Sequence, residues 1–177
     1  LTSRGLGDVY KRQLYNSKYW FKLHREKILT DQELIAPDLP EQRDPQKAQL
    51  RPGWYKVADS NDIGPMEAIQ VDDFPTQIVV WRGKNDQLSA LDLYCKHMGA
   101  SLACGEVEED GIRCPFHAWR WSGEGPCNEV PYAKRIPPKA ITRSWEVDEL
   151  DGSIYVWFDR DGNSADFNGE RIDELSF

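Results

Sequence analysis

The sequence predicts a mainly β fold, a small antiparallel β sandwich or barrel preceded by a short helical segment. Short apolar runs bounded by turn residues recur from Gly53 to Phe158, which is the pattern of successive short strands. The 177 residues include seven Trp, thirteen Gly and eleven Pro. That mixture suits a turn-rich β domain better than a helical bundle.

The strands follow from the apolar runs and the turns between them. The first four are predicted at residues 54–58, 67–71, 77–81 and 88–93. Asp110-Gly111 predicts a type I′ turn between strands at 105–108 and 112–113. A final hairpin is predicted to join residues 141–147 to 153–158 around Asp151-Gly152.

Four segments divide the chain. Residues 1–13 fit nothing that follows and are interpreted as a non-native leader. Residues 14–50 predict a short helical stretch and then a linker rich in Pro and charge. Residues 51–159 are the predicted β domain, and residues 160–177 are interpreted as the start of a connection to a further domain.

Composition excludes some partners. The formal net charge of −8 argues against nucleic acid and fits docking to a basic protein surface. No apolar run is long enough to span a bilayer, so a membrane location is not expected. Four Cys are too few for a disulfide framework, and no signal peptide is visible, which together predict the cytoplasm.

Two short motifs carry the chemistry. Cys95-Lys96-His97 is C-x-H, and sixteen residues later Cys114-Pro115-Phe116-His117 is C-x-x-H. Two Cys and two His in this order are the ligand set of a Rieske [2Fe–2S] centre, in which one iron takes two thiolates and the other two imidazoles. Cys95 and Cys114 would then hold one iron, and His97 and His117 the other.

The residues beside the ligands have expected structural roles. Met98, Gly99 and Pro115 are expected to restrict the turns. Phe116, Trp119 and Trp121 are expected to form an apolar wall beside the cluster. Cys104 and Cys127 have no assigned role. Small buried apolar side chains are the default interpretation, and a disulfide between them is conceivable.

A Cys₂His₂ zinc site is the alternative for the four ligands. Zinc fingers pair like ligands locally, as C-x₂₋₄-C followed by H-x₃₋₅-H. Each short motif here holds one Cys and one His, an arrangement that a single tetrahedral ion does not favour. The residues therefore favour the iron–sulfur interpretation.

The stretch that contains both motifs resembles a known protein family. The stretch YCKHMGASLACGEVEEDGIRCPFHAWRWSGEGPCNEVPYAKRIPP resembles the Rieske domain of ring- and steroid-hydroxylating oxygenases. It is most similar to the oxygenase component of 3-ketosteroid 9α-hydroxylase, and less so to the related cholesterol 7-desaturases. Residues 117–121 and 130–135 carry the likeness, which covers residues 51–159.

Respiratory and photosynthetic Rieske proteins are the neighbouring subclass. They carry two extra Cys that form a disulfide beneath the cluster, and the corresponding positions here are Ala100 and Phe116. Their Ser that bonds the cluster is replaced by Trp119. Fewer hydrogen bonds to sulfur imply the lower-potential oxygenase or ferredoxin type.

The resemblance also implies what else is needed. Oxygenases of this family pair the Rieske domain with a mononuclear Fe(II) on two His and one carboxylate. The chain has three His, and only His24 is left after the cluster, so no catalytic residue is expected in it. The implied protein is a monooxygenase component, an oxidoreductase, with a steroid-like or other hydrophobic ring substrate. A reductase or ferredoxin donor and a homotrimer are also implied. A free-standing Rieske ferredoxin is the alternative.

Overall fold

A computed structural model describes residues 50–173, which form twelve β-strands in three four-stranded sheets. The only helical segments in that range are 3₁₀ turns at Ser60–Asp62 and Leu102–Cys104. The strands are β1 (Gly53–Asp59), β2 (Ala68–Val71), β3 (Ile78–Arg82), β4 (Leu88–Asp92), β5 (Glu106–Glu108), β6 (Gly111–Arg113), β7 (Arg120–Ser122), β8 (Cys127–Glu129), β9 (Ser144–Trp145), β10 (Val147–Leu150), β11 (Ser153–Phe158) and β12 (Arg171–Ile172).

Two of the sheets share an apolar core. The first has the order β10-β11-β1-β12, and the second the order β2-β3-β4-β9. All neighbours are antiparallel except β1 and β12, which pair in parallel. Tyr55 and Val156 of the first sheet join Ile78 and Val80 of the second in one buried cluster. Burial of these β-branched and aromatic side chains holds the two sheets together.

The third sheet, β5-β6-β7-β8, carries the site. It packs on the opposite side of the second sheet, where Trp81 and Leu91 meet Ile112 and Trp121 in a second buried cluster. The segment between β4 and β5 and the segment between β6 and β7 are the two loops that contain the ligand motifs. The same core therefore supports both loops.

The prediction of a mainly β, antiparallel fold is confirmed, and most predicted strands differ from the observed ones by one or two residues. The strand predicted at 141–147 is wrong. β10 (Val147–Leu150) pairs with β11 instead, because the Asp151-Gly152 turn joins Leu150 directly to Ser153. The residues before it cross to another sheet, where β9 pairs with β4.

The predicted Asp110-Gly111 turn is also shifted by one residue. Glu108 pairs with Gly111, so Glu109 and Asp110 form the turn, and Glu109 takes a positive φ of 56°. Gly111 is the first residue of β6, where an added Cβ would lie 2.6 Å from the Trp121 carbonyl oxygen. Close packing on β7 therefore requires this glycine, and the turn does not.

β7 and β8 are absent from the predicted strands. Each has three residues, too few to show an alternating pattern, and they pair around a glycine-rich turn at 123–125. The tail also returns to the domain, because the Trp54 indole N–H donates to the Asp166 carbonyl at 2.7 Å. The interpretation of residues 160–177 as a connection stays a prediction.

The predicted leader, the helical segment and nearly all of the linker lie outside the described residues. Among residues 50–173, no helix has the length and apolar character needed to cross a membrane.

Candidate functional site

The two ligand loops have the same backbone frame. In each loop the Cys N–H donates to the carbonyl five residues on, and the Cys carbonyl accepts from the N–H four residues on. The distances are 2.9 and 2.8 Å in the first loop, from Cys95 to Ala100 and from Gly99 to Cys95; they are 2.8 and 3.1 Å in the second, from Cys114 to Trp119 and from Ala118 to Cys114. The fold thus repeats one tight turn twice.

The fourth residue after each Cys has a left-handed conformation. Gly99 has φ 75° and Ala118 has φ 57°. A Cβ in this region is disfavoured by contact with the following carbonyl, so the second loop carries a small strain that the first avoids. The shared conformation turns the chain back so that the residue after it can pair with the Cys.

The two sulfur atoms lie together in the interior. Cys95 and Cys114 are both 3% exposed, and their side chains are hydrogen-bonded to each other. This bond lowers the pKa of Cys95 to about 6, and it raises the pKa of Cys114, because one thiolate is stabilised by the other thiol. The pair is suited to losing protons to a bound metal.

Backbone N–H groups surround both sulfurs at matching positions. The N–H groups of His97 and Met98 face Cys95, and those of Phe116 and His117 face Cys114. In each loop these are the second and third residues after the Cys, and each contact lowers the thiol pKa. Hydrogen bonds to sulfur stabilise the thiolate form that binds iron.

The two imidazoles form a second pair, nearer the surface. The ring centroids of His97 and His117 lie 4.7 Å apart, at an interplanar angle of 73°. Burial lowers the pKa of both rings, and for His117 the charge of His97 lowers it further. Both rings are therefore neutral near pH 7, which is the form that binds metal.

The Nδ1 atoms of the two rings are buried and unpaired. Among the described residues neither Nδ1 has a hydrogen-bond partner. A buried nitrogen without a partner costs free energy, so a pair of them side by side indicates an interior ligand that both would hold. The residues present fit a two-iron cluster, since two sulfurs sit on one side and two unpaired nitrogens on the other.

The separation of sulfur from nitrogen bears on the zinc alternative. Within residues 50–173, no three His, Cys, Asp or Glu side chains converge as ligands of one ion. The observed pairs are Cys with Cys and His with His. A [2Fe–2S] cluster separates its ligands in this way, whereas a tetrahedral zinc ion would draw all four to one point.

Two Trp side chains support the ligands from the interior. Trp119 is 9% exposed and stacks on His97, with centroids 4.3 Å apart and planes 7° apart. Its indole N–H donates to the Tyr132 hydroxyl at 2.6 Å. Trp121 is fully buried beside Cys95, where its indole N–H lowers the thiol pKa without making a regular hydrogen bond.

The remaining predicted neighbours lie at the surface of the loops. Met98 is 61% exposed and Phe116 is 56% exposed. The Phe116 ring also contacts His117, with centroids 4.0 Å apart. Phe116 therefore covers only one side of its His neighbour, and Trp119 and Trp121 form the interior wall.

Arg113 anchors the second loop, a role that no motif in the sequence indicates. Its guanidinium donates to both oxygens of Glu108, at 2.7 and 2.6 Å, and to Glu129 at 2.7 Å. A further N–H donates to the Ala118 carbonyl at 2.8 Å. The fork geometry of Arg suits a site that joins β5, β8 and the loop.

Tyr132 is a second contact of the site that no motif in the sequence indicates. It lies in the stretch 130–135 that carries the family likeness, but only the fold brings it to Trp119. Cys104 and Cys127 are free thiols, so the conceivable disulfide is absent. Cys127 is buried on β8, and its thiol donates to the Glu129 carbonyl at 3.4 Å.

Comparison with known proteins agrees with this geometry. The family model of the Rieske [2Fe-2S] domain matches residues 53–145, just over half of the chain. A probable 3-ketosteroid-9-alpha-monooxygenase, oxygenase component, of Rhodococcus rhodochrous is 47% identical over 111 residues. A second relative from the same organism, described as a 3-ketosteroid-9-alpha-monooxygenase, oxygenase component, is 41% identical over 131 residues. The matches cover 63% and 74% of this chain, but only 28% and 32% of the relatives.

More distant relatives give the same result. Cholesterol 7-desaturase nvd 1 of Ciona intestinalis is 40% identical over 70% of this chain and 27% of its own length. Among solved structures, dicamba monooxygenase bound to dicamba matches with a TM-score of 0.59 and 25% identity, over 67% of this chain and 39% of that one. Pseudomonas putida CBB5 NdmA matches with a TM-score of 0.61 and 25% identity, over 67% and 38%. The chain belongs to the Rieske [2Fe–2S] domain family.

Proposed function

We propose that this Rieske domain holds its [2Fe–2S] cluster through Cys95, Cys114, His97 and His117. The observation that carries this assignment is the pair of buried, unpaired Nδ1 atoms beside the pair of buried sulfurs. Both sets of ligands come from loops with one backbone frame, so each loop supplies one sulfur and one nitrogen. When bound, the cluster would supply one-electron transfer chemistry between a reductase and a mononuclear iron.

The chain's own residues prepare the site for that chemistry. The loop N–H groups stabilise both thiolates, and burial keeps the two imidazoles neutral. Trp119 fixes the plane of His97, and Trp121 excludes water from the sulfur side. The His side of the site is the one nearer to solvent, so an electron-transfer partner approaches there.

The larger role that we propose is the electron-transfer domain of a monooxygenase component. The likeness to 3-ketosteroid monooxygenase components, cholesterol 7-desaturase, dicamba monooxygenase and NdmA supports it. A steroid-like or other hydrophobic ring is the proposed substrate class. The mononuclear iron would lie outside this sequence, because three His leave only one after the cluster is ligated. A reductase donor, a homotrimer and a cytoplasmic location complete the proposal.

A free-standing Rieske ferredoxin is the second candidate. A β domain with both ligand loops has the parts that an electron carrier needs, but the likeness to oxygenase components favours the first candidate. The coding sequence after residue 177 distinguishes the two candidates. An H-x₄₋₅-H pattern followed by an Asp would support the oxygenase, and a stop codon directly after that residue would support the ferredoxin.

The ligand assignment has a direct test. His117→Cys should keep a cluster but lower its potential, on the order of 200 mV, because a third thiolate adds negative charge. Cys104→Ser is the control, since Cys104 lies in the 3₁₀ turn that follows the first ligand turn and is not a proposed ligand, and it should leave the potential unchanged. Potentials would be measured by redox titration of the visible absorbance and the EPR signal. An unchanged potential in His117→Cys would contradict the assignment, and a colourless iron-free protein that holds zinc would overturn the cluster itself.

A further inference from the structure

Trp121 lies in the middle of the third sheet, and its side chain is held in the interior. Its strand, β7, pairs with β6 on one side and with β8 on the other. The side chain is fully buried, in the apolar cluster that also contains Cys95 and Cys114. An indole N–H in this position has no access to bulk water, so its acceptor must come from the interior of the site.

The Trp121 N–H faces the sulfur of Cys95. Among residues 50–173 it has no regular hydrogen-bond partner, although a buried N–H without an acceptor costs free energy. The nearby Trp119 indole differs, because it already donates to the Tyr132 hydroxyl at 2.6 Å. A thiol sulfur is a weak acceptor, whereas an ionised sulfur accepts a stronger, charge-assisted bond. The Trp121 N–H is therefore placed for an acceptor that Cys95 becomes only as a thiolate ligand.

This donor comes from outside the first ligand loop. The backbone N–H groups that face each sulfur belong to the same loop as that sulfur, at residues 97 and 98 for Cys95 and at residues 116 and 117 for Cys114. Trp121 follows the second loop in sequence, four residues after His117, and yet faces the sulfur of the first. The contact thus joins the two loops at a ligand atom.

We propose that the Trp121 indole N–H donates to the Cys95 sulfur in the cluster-bound protein and thereby raises the reduction potential of the cluster. The inference rests on the proposed function, in which Cys95 is a ligand, and adds a residue that sets the driving force for electron transfer. Reduction adds negative charge at the sulfurs, so an N–H donor stabilises the reduced state more than the oxidised state. Trp121 would partly replace the donor that is lost where Trp119 stands in the place of a Ser.

The first test removes the donor and keeps an aromatic ring. Trp121→Phe should lower the equilibrium constant for reduction of the cluster-bound full chain about three- to tenfold, where tenfold corresponds to about 59 mV for one electron. Redox titration followed by visible absorbance and EPR gives this constant.

Trp81→Phe is the matched control. Trp81 is also fully buried in the same apolar cluster, and among residues 50–173 its indole nitrogen likewise has no regular partner. It lies on β3, however, outside the sheet that carries the site. The control therefore repeats the loss of volume and of a buried N–H. It should change the reduction constant less than about twofold, since it removes no donor to a ligand.

A second variant separates hydrogen bonding from shape, and it keeps the proposal testable if Trp121→Phe does not fold. The non-natural residue β-(3-benzothienyl)alanine at position 121 puts sulfur in the place of the N–H and keeps both rings. We expect the melting temperature to be retained and the potential to fall as in Trp121→Phe. In resonance Raman spectra, the iron–sulfur bands should also shift less on transfer from H₂O to D₂O than they do with Trp121.

Three results would overturn the inference. These are a wild-type potential in the benzothienyl variant, equal losses in Trp121→Phe and Trp81→Phe, or deuterium shifts that do not depend on the indole N–H. Each of them leaves the proposed function standing, because the cluster is present when they are measured. A chain that binds no cluster would refute the proposed function and this inference together.

Discussion

The two ligand loops, residues 95–100 and 114–119, share a backbone and differ in what holds it. The first loop depends on its own hydrogen bonds, on the stacking of His97 against Trp119, and on an exposed Lys96–Asp92 pair at 3.0 Å. The second is tied to β5 and β8 through Arg113. The second loop also supplies Trp119, which stacks on His97 of the first loop. The second loop therefore stabilises the first.

Because of this difference, removing Arg113 from the second loop should lower the free energy of unfolding more than removing Lys96 from the first. Arg113→Met removes a cation whose side chain is 19% exposed and leaves the Ala118 carbonyl without this donor. Glu129 loses its ion pair, and Glu108 keeps only the longer contact with Arg120 at 3.6 Å. We expect a loss of about 2 to 3 kcal/mol in the free energy of unfolding, between the values for buried and exposed pairs. Lys96→Met in the first loop should cost less than about 1 kcal/mol. Urea denaturation of the cluster-bound chain measures both, and equal losses would contradict the asymmetry.

Substitutions at the left-handed positions, Gly99 and Ala118, should have a smaller effect on stability. Gly99→Ala puts a Cβ at φ 75° and should destabilise the first loop by about 1 kcal/mol. Ala118→Gly relieves the same strain in the second loop but adds chain entropy to the unfolded state, so it should stabilise by no more than about 0.5 kcal/mol. The same urea midpoints decide it. If Ala118→Gly proved as costly as Gly99→Ala, the two turns would not be equivalent.

The smallest effect depends on pH. The hydrogen bond from Arg113 lowers the pKa of Glu129 below its ordinary value of 4.5, so the folded chain releases this proton more readily than the unfolded chain. The contribution is present above that ordinary value and is lost as pH falls through the folded pKa. Glu129→Gln should cost less than about 1 kcal/mol near pH 7 and nothing once both states are protonated. Glu106→Gln, an exposed change on β5, should show no such pH dependence.

Much of the site can be predicted from the sequence because its chemistry is local. The spacing C-x-H and C-x-x-H places one sulfur and one nitrogen on each tight turn, whatever surrounds the turn. Gly99 marks the left-handed position of the first loop. Ala118 gives no such signal, since alanine is rarely found at positive φ, and only the repeated hydrogen bonds show that the turns are alike.

The alternating apolar runs determined most strands, and the two Cys–His motifs indicated the four residues that we propose as ligands. Only the tertiary structure decided which strands pair, as when residues 144–145 left the predicted hairpin to join β4. It also decided that Arg113 and Tyr132 serve the loops, and that the indole N–H of Trp121 faces the sulfur of Cys95. The reason is physical: ligand chemistry and strand propensity depend on near neighbours, whereas strand pairing, burial and the contacts around a ligand depend on residues far apart in sequence.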